Sequence, residues 1–407
     1  MKFEVTRLKR NNFILKQEGL AKLYLYKDDS VIIPSKSMKV FYNEKMEINR
    51  DISLLAIKAY NNIINQESLE IVDSMAASGV TSLRLLKNSI NIEKIYINDI
   101  NPVAVKLIDK NLRLNGIASN RIALSNKDAN LLFAEISQKN RLPDVISIDP
   151  FGTPNVYVDT AFKAIKKHDG LLCITATDTA VLFGVRPKAC VRKYMSKPIH
   201  SEYCKEVGAR ILLYFISRIA NINNNGITPL LTFYSNHFIR VFALTYSGKT
   251  RIQKNSLNSY GYLIHCNKCG YRTTVSEYRL GNPHVCPLCL NNDHLYYSGP
   301  LWIKEIHQKP FLDEIIQLNE QNAIGNKKRI EKLINYALQE IGMPISYYNL
   351  HKLCQKLKLS SIPKLDNLIN LIKENGYTAS RTHFDFLSLK TNMRIEDLKS
   401  LLLKIEK

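Results

Sequence analysis

Short apolar runs alternate with amphipathic segments between about residues 70 and 250. Within the segments 103–114 and 129–136, apolar residues recur three and four positions apart, as on one face of a helix. Strands that alternate with helices of this length predict a parallel sheet covered by helices on both faces. The seven predicted strands are 71–76, 95–100, 122–125, 145–149, 171–177, 227–234 and 238–246.

The last two predicted strands are joined only by residues 235–237, which are too few for a helical crossover. These two strands must therefore form an antiparallel hairpin. The predicted sheet has six strands in one direction and a reversed seventh.

The pattern outside the sheet divides the chain further. A chain of 407 residues exceeds what one hydrophobic core usually serves, so we expect two domains. The first, 1–250, has an N-terminal extension that leads into a helix at about 51–65. The second, 251–407, contains a cysteine-rich insert at about 260–295 and then a winged-helix-like module of helices and a basic tail strand. The three helices predicted there are 330–341, 347–357 and 364–374.

Charge gives the first indication of a partner. The chain has 57 Lys and Arg against 36 Asp and Glu, a net charge of +21. This excess indicates a nucleic acid, because basic side chains that neutralise phosphates release counterions; the alternative is a lysine-rich composition spread evenly over the surface. No apolar run approaches the ~18 residues that cross a bilayer, and the first residues lack the apolar part of a secretory signal. We therefore expect a cytoplasmic protein.

A buried strand, a turn of small residues and a helix follow one another at 71–84. Asp73 and Gly79 are candidate cofactor-binding residues of this segment, where small residues let the backbone approach a ligand and the helix offers free N–H groups. Asp99 ends the next strand and is placed to accept hydrogen bonds from two ribose hydroxyls. Asp128 and the backbone of Ala129 follow the third strand and are placed to meet an adenine.

The single glycine of this turn argues against a dinucleotide and for a nucleoside cofactor without a pyrophosphate, because dinucleotide folds carry three glycines there. For Asp99 the alternative is a turn role before Asn101 and Pro102. Asn101 and Pro102 already start the next helix, which leaves Asp99 free for a ligand.

The motif with the most specific chemistry is Asp149-Pro150-Phe151-Gly152, at the end of the fourth predicted strand. Open α/β sheets bind ligands at the carboxyl ends of their strands. A carboxylate, the carbonyl of Pro150 and the ring of Phe151 together suit a planar base with an exocyclic amine, whose delocalised lone pair makes it a poor nucleophile. The alternative is a structural turn in which Asp149 caps the next helix.

Four of the eight cysteines form two pairs, Cys266 with Cys269 and Cys286 with Cys289, separated by residues 270–285. This spacing is typical of a four-thiolate Zn²⁺ site. Four thiolates leave no open position for water or substrate, so the zinc is expected to be structural.

Basic, hydroxyl and aromatic side chains are mixed in the tail at 381–391. Such a mixture is typical of contacts with RNA backbone and bases, and the candidate RNA-binding residues are Arg381, His383, Phe384 and Lys390. The alternative is a solvated strand in a lysine-rich tail.

Through nearly its whole length the sequence resembles the archaeal tRNA (guanine-26, N2)-dimethyltransferases. The turn 73–79 resembles the family's cofactor motif, with Ser78 where the family usually has Thr. In the segment that follows, Thr81 stands where the family often has Arg, and Arg84 matches the family, which implies that Arg84 binds the cofactor. The motif at Asp149 matches, and the segments 175–178 and 190–194 are similar to further family segments. The resemblance implies that Arg50 reaches the cofactor carboxylate and that Phe41 borders the active site.

The resemblance implies the α/β fold of a class I methyltransferase, with a Rossmann-like sheet and a C-terminal α+β domain that carries the zinc knuckles. It also implies transfer of one or two methyl groups from S-adenosylmethionine to N2 of guanine-26 in tRNA, with Asp149 as the essential acceptor. The residues alone leave other targets open: adenine N6, a guanine of rRNA, or no catalysis in an RNA-binding scaffold. No protein partner is indicated.

Overall fold

The computed structural model describes residues 12–31, 37–88, 90–117, 120–276, 285–322 and 324–406. A hairpin of β1 (Phe13–Glu18) and β2 (Ala21–Tyr26) is followed by helix α1 (Glu47–Ile64). Helix α1 follows a 3-10 turn, Glu44–Met46, that the side chain of Asn43 caps. The helix begins four residues earlier than predicted, and most of its side chains from Ile48 to Tyr60 are buried.

A seven-stranded sheet lies at the centre of this part of the chain, in the order β5-β4-β3-β6-β7-β9-β8. Every neighbouring pair is parallel except the two that involve β9. The predicted sheet with its reversed last strand is confirmed. Its strands are β3 (Leu69–Asp73), β4 (Ile92–Asn98), β5 (Ile122–Ser125), β6 (Val145–Ile148), β7 (Leu171–Ala176), β8 (Asn225–Ser235) and β9 (Phe238–Ser247).

Two apolar cores cover the two faces of this sheet. Along β3, Ile71 belongs to the core that contains α1, whereas its neighbour Val72 belongs to the other core. The same alternation separates Val145 from Ile146 in β6. Because both faces are covered, the central strands are mostly apolar, as the sequence indicates. The helices after the strands are α2 (Val80–Lys87), α3 (Pro102–Leu114), α4 (Ala129–Ser137), α5 (Asn155–Ala164), α6 (Thr179–Leu182), α7 (Pro187–Tyr194) and α8 (Cys204–Ile222).

The chain after β9 forms a second sheet and two long helices. Its sheet has the order β11-β10-β12. The second of the two helices corresponds to the predicted helix 330–341. These elements are α9 (Lys249–Ser259), β10 (Tyr260–Cys266), β11 (Arg272–Ser276), β12 (Leu295–Trp302), α10 (Lys309–Gln321) and α11 (Lys327–Gln339). Helix α9 was not predicted, because only Ile252 and Ser259 of its residues are buried and it has no apolar face.

The helices α10 and α11 pack into the same apolar core as α1, through residues such as Phe311, Ile315 and Ile334. They lie after residue 250 in sequence and beside the first sheet in space. The division into domains at 1–250 and 251–407 stays a prediction.

A third core holds the last part of the described chain together. Leu353, Leu368, Ile372, Leu389 and Leu398 belong to it. A small sheet in the order β13-β15-β14 lies against three helices, as expected for a winged-helix-like module. The elements are β13 (Tyr348–Asn349), α12 (Leu350–Leu357), α13 (Leu365–Glu374), β14 (Ala379–Arg381), β15 (Ser388–Thr391) and α14 (Ile395–Glu406).

Among the residues that the structure describes, no helix is both long enough and apolar enough to span a bilayer.

Candidate functional site

A cavity of about 700 Å³ opens at the carboxyl ends of β3, β4 and β6. Its wall is formed by the turn after β3, by Asp99, by the motif that begins at Asp149, and by the first turn of α1. Loops that follow parallel strands meet at one edge of a sheet, so segments distant in sequence line one cavity.

The turn after β3 takes its shape from backbone geometry. Ala77 and Gly79 both have positive φ angles, of 48° and 78°. A Cβ atom on Gly79 would lie 3.1 Å from the side chain of Ile108, so glycine satisfies both the φ angle and the close approach to α3. Gly79 does not itself line the cavity, whereas Ser78 does.

Asp73, predicted to bind the cofactor, lies beneath this turn. Its side chain is buried, and its Oδ2 accepts a hydrogen bond of 2.6 Å from Ser82 in α2. Burial raises the pKa of Asp73 to about 6, against the lowering effect of the Ser82 hydrogen bond, and the neighbouring charges of Asp149 and Asp99 raise it further. Asp73 does not line the cavity, so the structure gives it a supporting position.

Asp99 lines the cavity, but it is not free of the backbone as we expected from the sequence. One carboxylate oxygen accepts from the backbone N–H of Ala77 at 2.8 Å, and the other accepts from that of Asn101 at 2.8 Å. Each carboxylate oxygen has a second lone pair, so Asp99 can still accept hydrogen bonds from two hydroxyl groups of a ligand. Burial raises the pKa of Asp99, and the two backbone hydrogen bonds oppose this rise.

Asp128 and Ala129 reach the same cavity from the beginning of α4. Asp128 is exposed and caps this helix by accepting from the backbone N–H of Asn130 at 2.8 Å. Ala129 is buried. Both predicted residues therefore line the same cavity as Asp99.

Arg50 lines the cavity from α1. Its guanidinium donates two hydrogen bonds to Glu18 of β1, at 2.7 and 2.6 Å, and donates to the backbone carbonyl of Asn43. Burial raises the pKa of Glu18, but the hydrogen bond and charge of Arg50 and the charge of Arg84 outweigh it and lower the pKa overall. The hairpin thus holds Arg50 at the cavity wall.

Arg84 does not line the cavity, which corrects its assignment to the cofactor. Its side chain is 2% exposed and forms ion pairs with Glu18, at 2.7 Å, and with Asp51 of α1. A guanidinium with two buried carboxylate partners has a structural role: it joins α2 to α1 and to the N-terminal hairpin.

Asp149 follows β6 directly and lines the cavity. Its Oδ2 accepts a hydrogen bond of 3.4 Å from Nδ2 of Asn49 in α1. Helix α5 begins after Pro154 without a side-chain cap, so Asp149 does not cap the next helix. Asp149 therefore does not have the capping role of the alternative interpretation, and its catalytic role stays a prediction.

Two aromatic rings border this part of the cavity, as predicted. Phe41 and Phe151 meet edge to face, with ring centroids 4.6 Å apart, and Phe151 is 48% exposed. The turn between Pro150 and the next helix is fixed by Thr177, whose hydroxyl accepts from the N–H of Gly152 at 2.6 Å and whose N–H donates to the carbonyl of Gly152 at 2.9 Å. The rings are held at the entrance of the cavity.

Two residues of the site were not singled out in the sequence. Asn49 contacts Asp149, as described above. Arg240 of β9 is buried and donates to the hydroxyls of Thr175 at 2.6 Å, Ser147 at 3.2 Å and Ser53 at 3.3 Å. Its charge lowers the pKa of Asp73. An arginine inside an otherwise apolar strand was the available signal, because a buried cation requires a reason.

The four predicted metal ligands come together between β10 and β12. The Sγ atoms of Cys266 and Cys289 are 3.7 Å apart, and those of Cys269 and Cys286 are 3.6 Å apart. All four sulfur atoms lie within 4.8 Å of one another. A tetrahedron with Zn–S bonds of about 2.3 Å has sulfur atoms about 3.8 Å apart, so the cluster fits a structural Zn²⁺ site and not disulfides.

Three of the four predicted RNA-binding residues lie inside the protein. His383, Phe384 and Lys390 are 3%, 1% and 1% exposed. Side chains without accessible surface cannot contact RNA, so this part of the interpretation is corrected. Arg381 is partly exposed and forms an ion pair of 2.7 Å with Asp366.

The buried Lys390 lies in a network that joins the last module to α8. Its ammonium is 2.7 Å from Oε1 of Glu206 and 3.5 Å from Oε2 of Glu340. His307, Glu340 and His383 are close enough to share a metal ion. The ammonium of Lys390 already lies beside the carboxylate of Glu340 and would repel a metal ion bound there. We therefore assign this network a structural role.

The comparisons with known proteins agree with this geometry. A family model described as "TRM: N2,N2-dimethylguanosine tRNA methyltransferase" matches residues 21–403. A tRNA (guanine(26)-N(2))-dimethyltransferase of Methanosphaera stadtmanae is 36% identical over 96% of both chains. The corresponding protein of Methanobrevibacter smithii is 33% identical over 95% of this chain and 96% of its own. A solved structure, Trm1 from Pyrococcus horikoshii with S-adenosyl-L-methionine, covers 95% of this chain and 99% of its own at 30% identity, with a TM-score of 0.80.

The raised pKa of Asp73 makes the stability of the protein pH-dependent. An Asp that titrates near 3.9 when unfolded and at about 6 when folded stabilises the fold at low pH, and this stabilisation is lost as the pH rises from about 4 to about 6. The wild-type protein should therefore lose about 2–3 kcal/mol of unfolding free energy between pH 4 and pH 7 through Asp73 alone, and Asp73→Asn should not show this loss. Urea denaturation without cofactor measures it. Asp109→Asn makes the same chemical change on the surface and serves as the control. An equal dependence of the unfolding free energy on pH in both variants would contradict the raised pKa of Asp73.

Loss of one thiolate should release the metal without loss of the cofactor site. We expect Cys269→Ser to contain less than one zinc per chain and to exchange the amides of β10–β12 faster. Its cofactor dissociation constant should stay within about twofold of wild type, because the cluster is remote from the cavity. Elemental analysis, hydrogen exchange and calorimetry measure these values. Cys204→Ser, a thiol outside the cluster, is the control; equal zinc content in both variants would refute the metal site.

Proposed function

The chain belongs to the N2,N2-dimethylguanosine tRNA methyltransferase family, and from that premise we propose that it transfers methyl groups from S-adenosylmethionine to the exocyclic N2 of guanine-26 in tRNA. The observation that carries the proposal is the position of Asp149. It lies at the end of a parallel strand, in the same cavity as Asp99, Asp128 and Arg50 and beside two aromatic rings.

The residues of the cavity match the parts of the proposed cofactor. Asp99 has lone pairs left for two ribose hydroxyls, and Asp128 with the backbone of Ala129 borders the place for an adenine. Arg50 provides a cation for a carboxylate. When bound, the cofactor supplies an electrophilic methyl group on a positively charged sulfur. The predicted cofactor contacts of Asp73, Gly79 and Arg84 reduce to support of the surrounding turn and helices.

Asp149 then acts on the amine of the base. The nitrogen lone pair is delocalised into the purine ring, so the amine must be oriented before it can attack a methyl carbon. A carboxylate that accepts one amine hydrogen orients the nitrogen and stabilises the positive charge that develops on it. The carbonyl of Pro150 is a candidate second acceptor. Asn49 donates to Asp149 at 3.4 Å and contributes to the orientation of the carboxylate.

The rings of Phe41 and Phe151 explain how a base from a helical stem is held. A guanine inside a stem must leave its stack before its amine can reach the cavity. An exposed aromatic ring at the entrance replaces part of the lost stacking. Phe151 is half exposed and Phe41 supports it from the side, which suits this task.

The cysteines support direct transfer without a covalent enzyme intermediate. No cysteine among the described residues lines the cavity. Burial raises the pKa of Cys173 to about 11 and that of Cys190 to about 12, so neither is a thiolate at neutral pH. A cytoplasmic location is part of the proposal, because the four clustered thiols require a reducing compartment.

Asp149→Asn tests this assignment, since it keeps the shape of the side chain but removes its charge. We expect kcat to fall by about 10²- to 10⁴-fold, because the charge acts mainly in the transition state. Cofactor affinity should be unchanged. The measurement is transfer of labelled methyl groups to an unmodified tRNA transcript, followed by nucleoside analysis. Wild-type activity in the variant, or label in N6-methyladenosine with the wild-type protein, would contradict the proposal.

A further inference from the structure

The segment 179–200, which we call the basic segment, contains five Lys and Arg and no Asp or Glu. It includes α6 and α7 and follows Asp178. Neither the cofactor cavity nor the zinc cluster uses it. Its composition differs from the mixed charge of an ordinary solvated surface, which indicates an anionic partner.

Hydrogen bonds of Tyr194 join the basic segment to Asp178 and to the turn that follows Asp149. The hydroxyl of Tyr194, at the end of α7, donates to Asp178 at 2.6 Å and lies 3.1 Å from the hydroxyl of Thr153. Tyr194 is fully buried. Because Thr153 is two residues from Phe151, the segment has a defined position beside the entrance of the cavity.

The opposite face of the basic segment is exposed. Arg186, Lys188 and Arg192 are exposed, and within the described parts of the chain none of them has a carboxylate partner within 4.0 Å. Exposed apolar side chains lie between them: Val185 is 60% and Met195 is 74% exposed. Cations without partners beside exposed apolar groups suit a nucleic acid, which offers phosphates together with sugar and base surfaces.

We propose that the basic segment binds the phosphate backbone of the tRNA next to the target guanine. This inference rests on the proposed function and adds the surface that positions the substrate. A base that leaves its stack remains tied to its two phosphates, and these phosphates stay at the entrance of the cavity. Arg186, Lys188 and Arg192 neutralise the phosphates there. Tyr194 holds the basic segment in a defined position relative to Asp149.

The test compares two triple variants with the same loss of charge. One replaces Arg186, Lys188 and Arg192 by Gln. The control replaces Lys167, Lys249 and Lys254 by Gln; these exposed lysines precede β7 or follow β9, at the opposite edge of the sheet. Affinity for an unmodified tRNA transcript is measured between about 50 and 200 mM salt. KM and cofactor binding are measured in parallel.

The slope of log binding constant against log salt concentration is negative, and in the first variant we expect its magnitude to be smaller by about 2. The KM for tRNA should rise about tenfold, while cofactor affinity stays at the wild-type value. The control should keep the wild-type slope within about 0.5. Equal slopes in the two variants would overturn the inference. Failure of this inference can be distinguished from failure of the proposed function, because in the latter case the wild-type protein itself would form no N2-methylguanosine.

Discussion

One buried guanidinium, that of Arg240, joins the two elements that position Asp149 and Asn49, namely the end of β6 and helix α1. Ser53 and Asn49 lie one turn apart on α1, and Ser147 and Asp149 lie two residues apart at the end of β6, so each pair shares a face. Arg240 donates to Ser53 and Ser147, one layer below the contact between Asn49 and Asp149. It reaches this position because β9 runs against its neighbours and begins at the carboxyl edge. The reversed strand thus places a cation where three carboxylates, at positions 73, 99 and 149, converge.

The N-terminal hairpin completes the site from the other side. Glu18 accepts from both Arg50 and Arg84, so one buried carboxylate connects the wall of the cavity to α2. Burial of such charges is costly, and removal of one partner would leave an uncompensated charge. The network therefore fixes the position of α1, which carries both Asn49 and Arg50. The part of the cavity wall at Arg50 and the part at Asn49 and Asp149 therefore share one support.

Periodicity predicted the sheet because buried parallel strands are apolar throughout and are separated by helices of regular length. The spacing of the cysteines predicted their cluster for an equally local reason. Burial of His383, Phe384 and Lys390 was not predictable, because their partners are distant in sequence: Lys390 pairs with Glu206, and His383 with Glu340. Arg84 was misassigned for the same reason. Motifs identify residues near a site, but only tertiary contacts show which of them face the ligand.

The most direct test of the account is the structure of a ternary complex with unmodified tRNA and the demethylated form of the cofactor. If Asp149 orients the amine, the target guanine lies out of its stack against Phe151, with its N2 within about 3.2 Å of a carboxylate oxygen of Asp149. A guanine whose amine faces other side chains, with Asp149 turned away from the base, would contradict it.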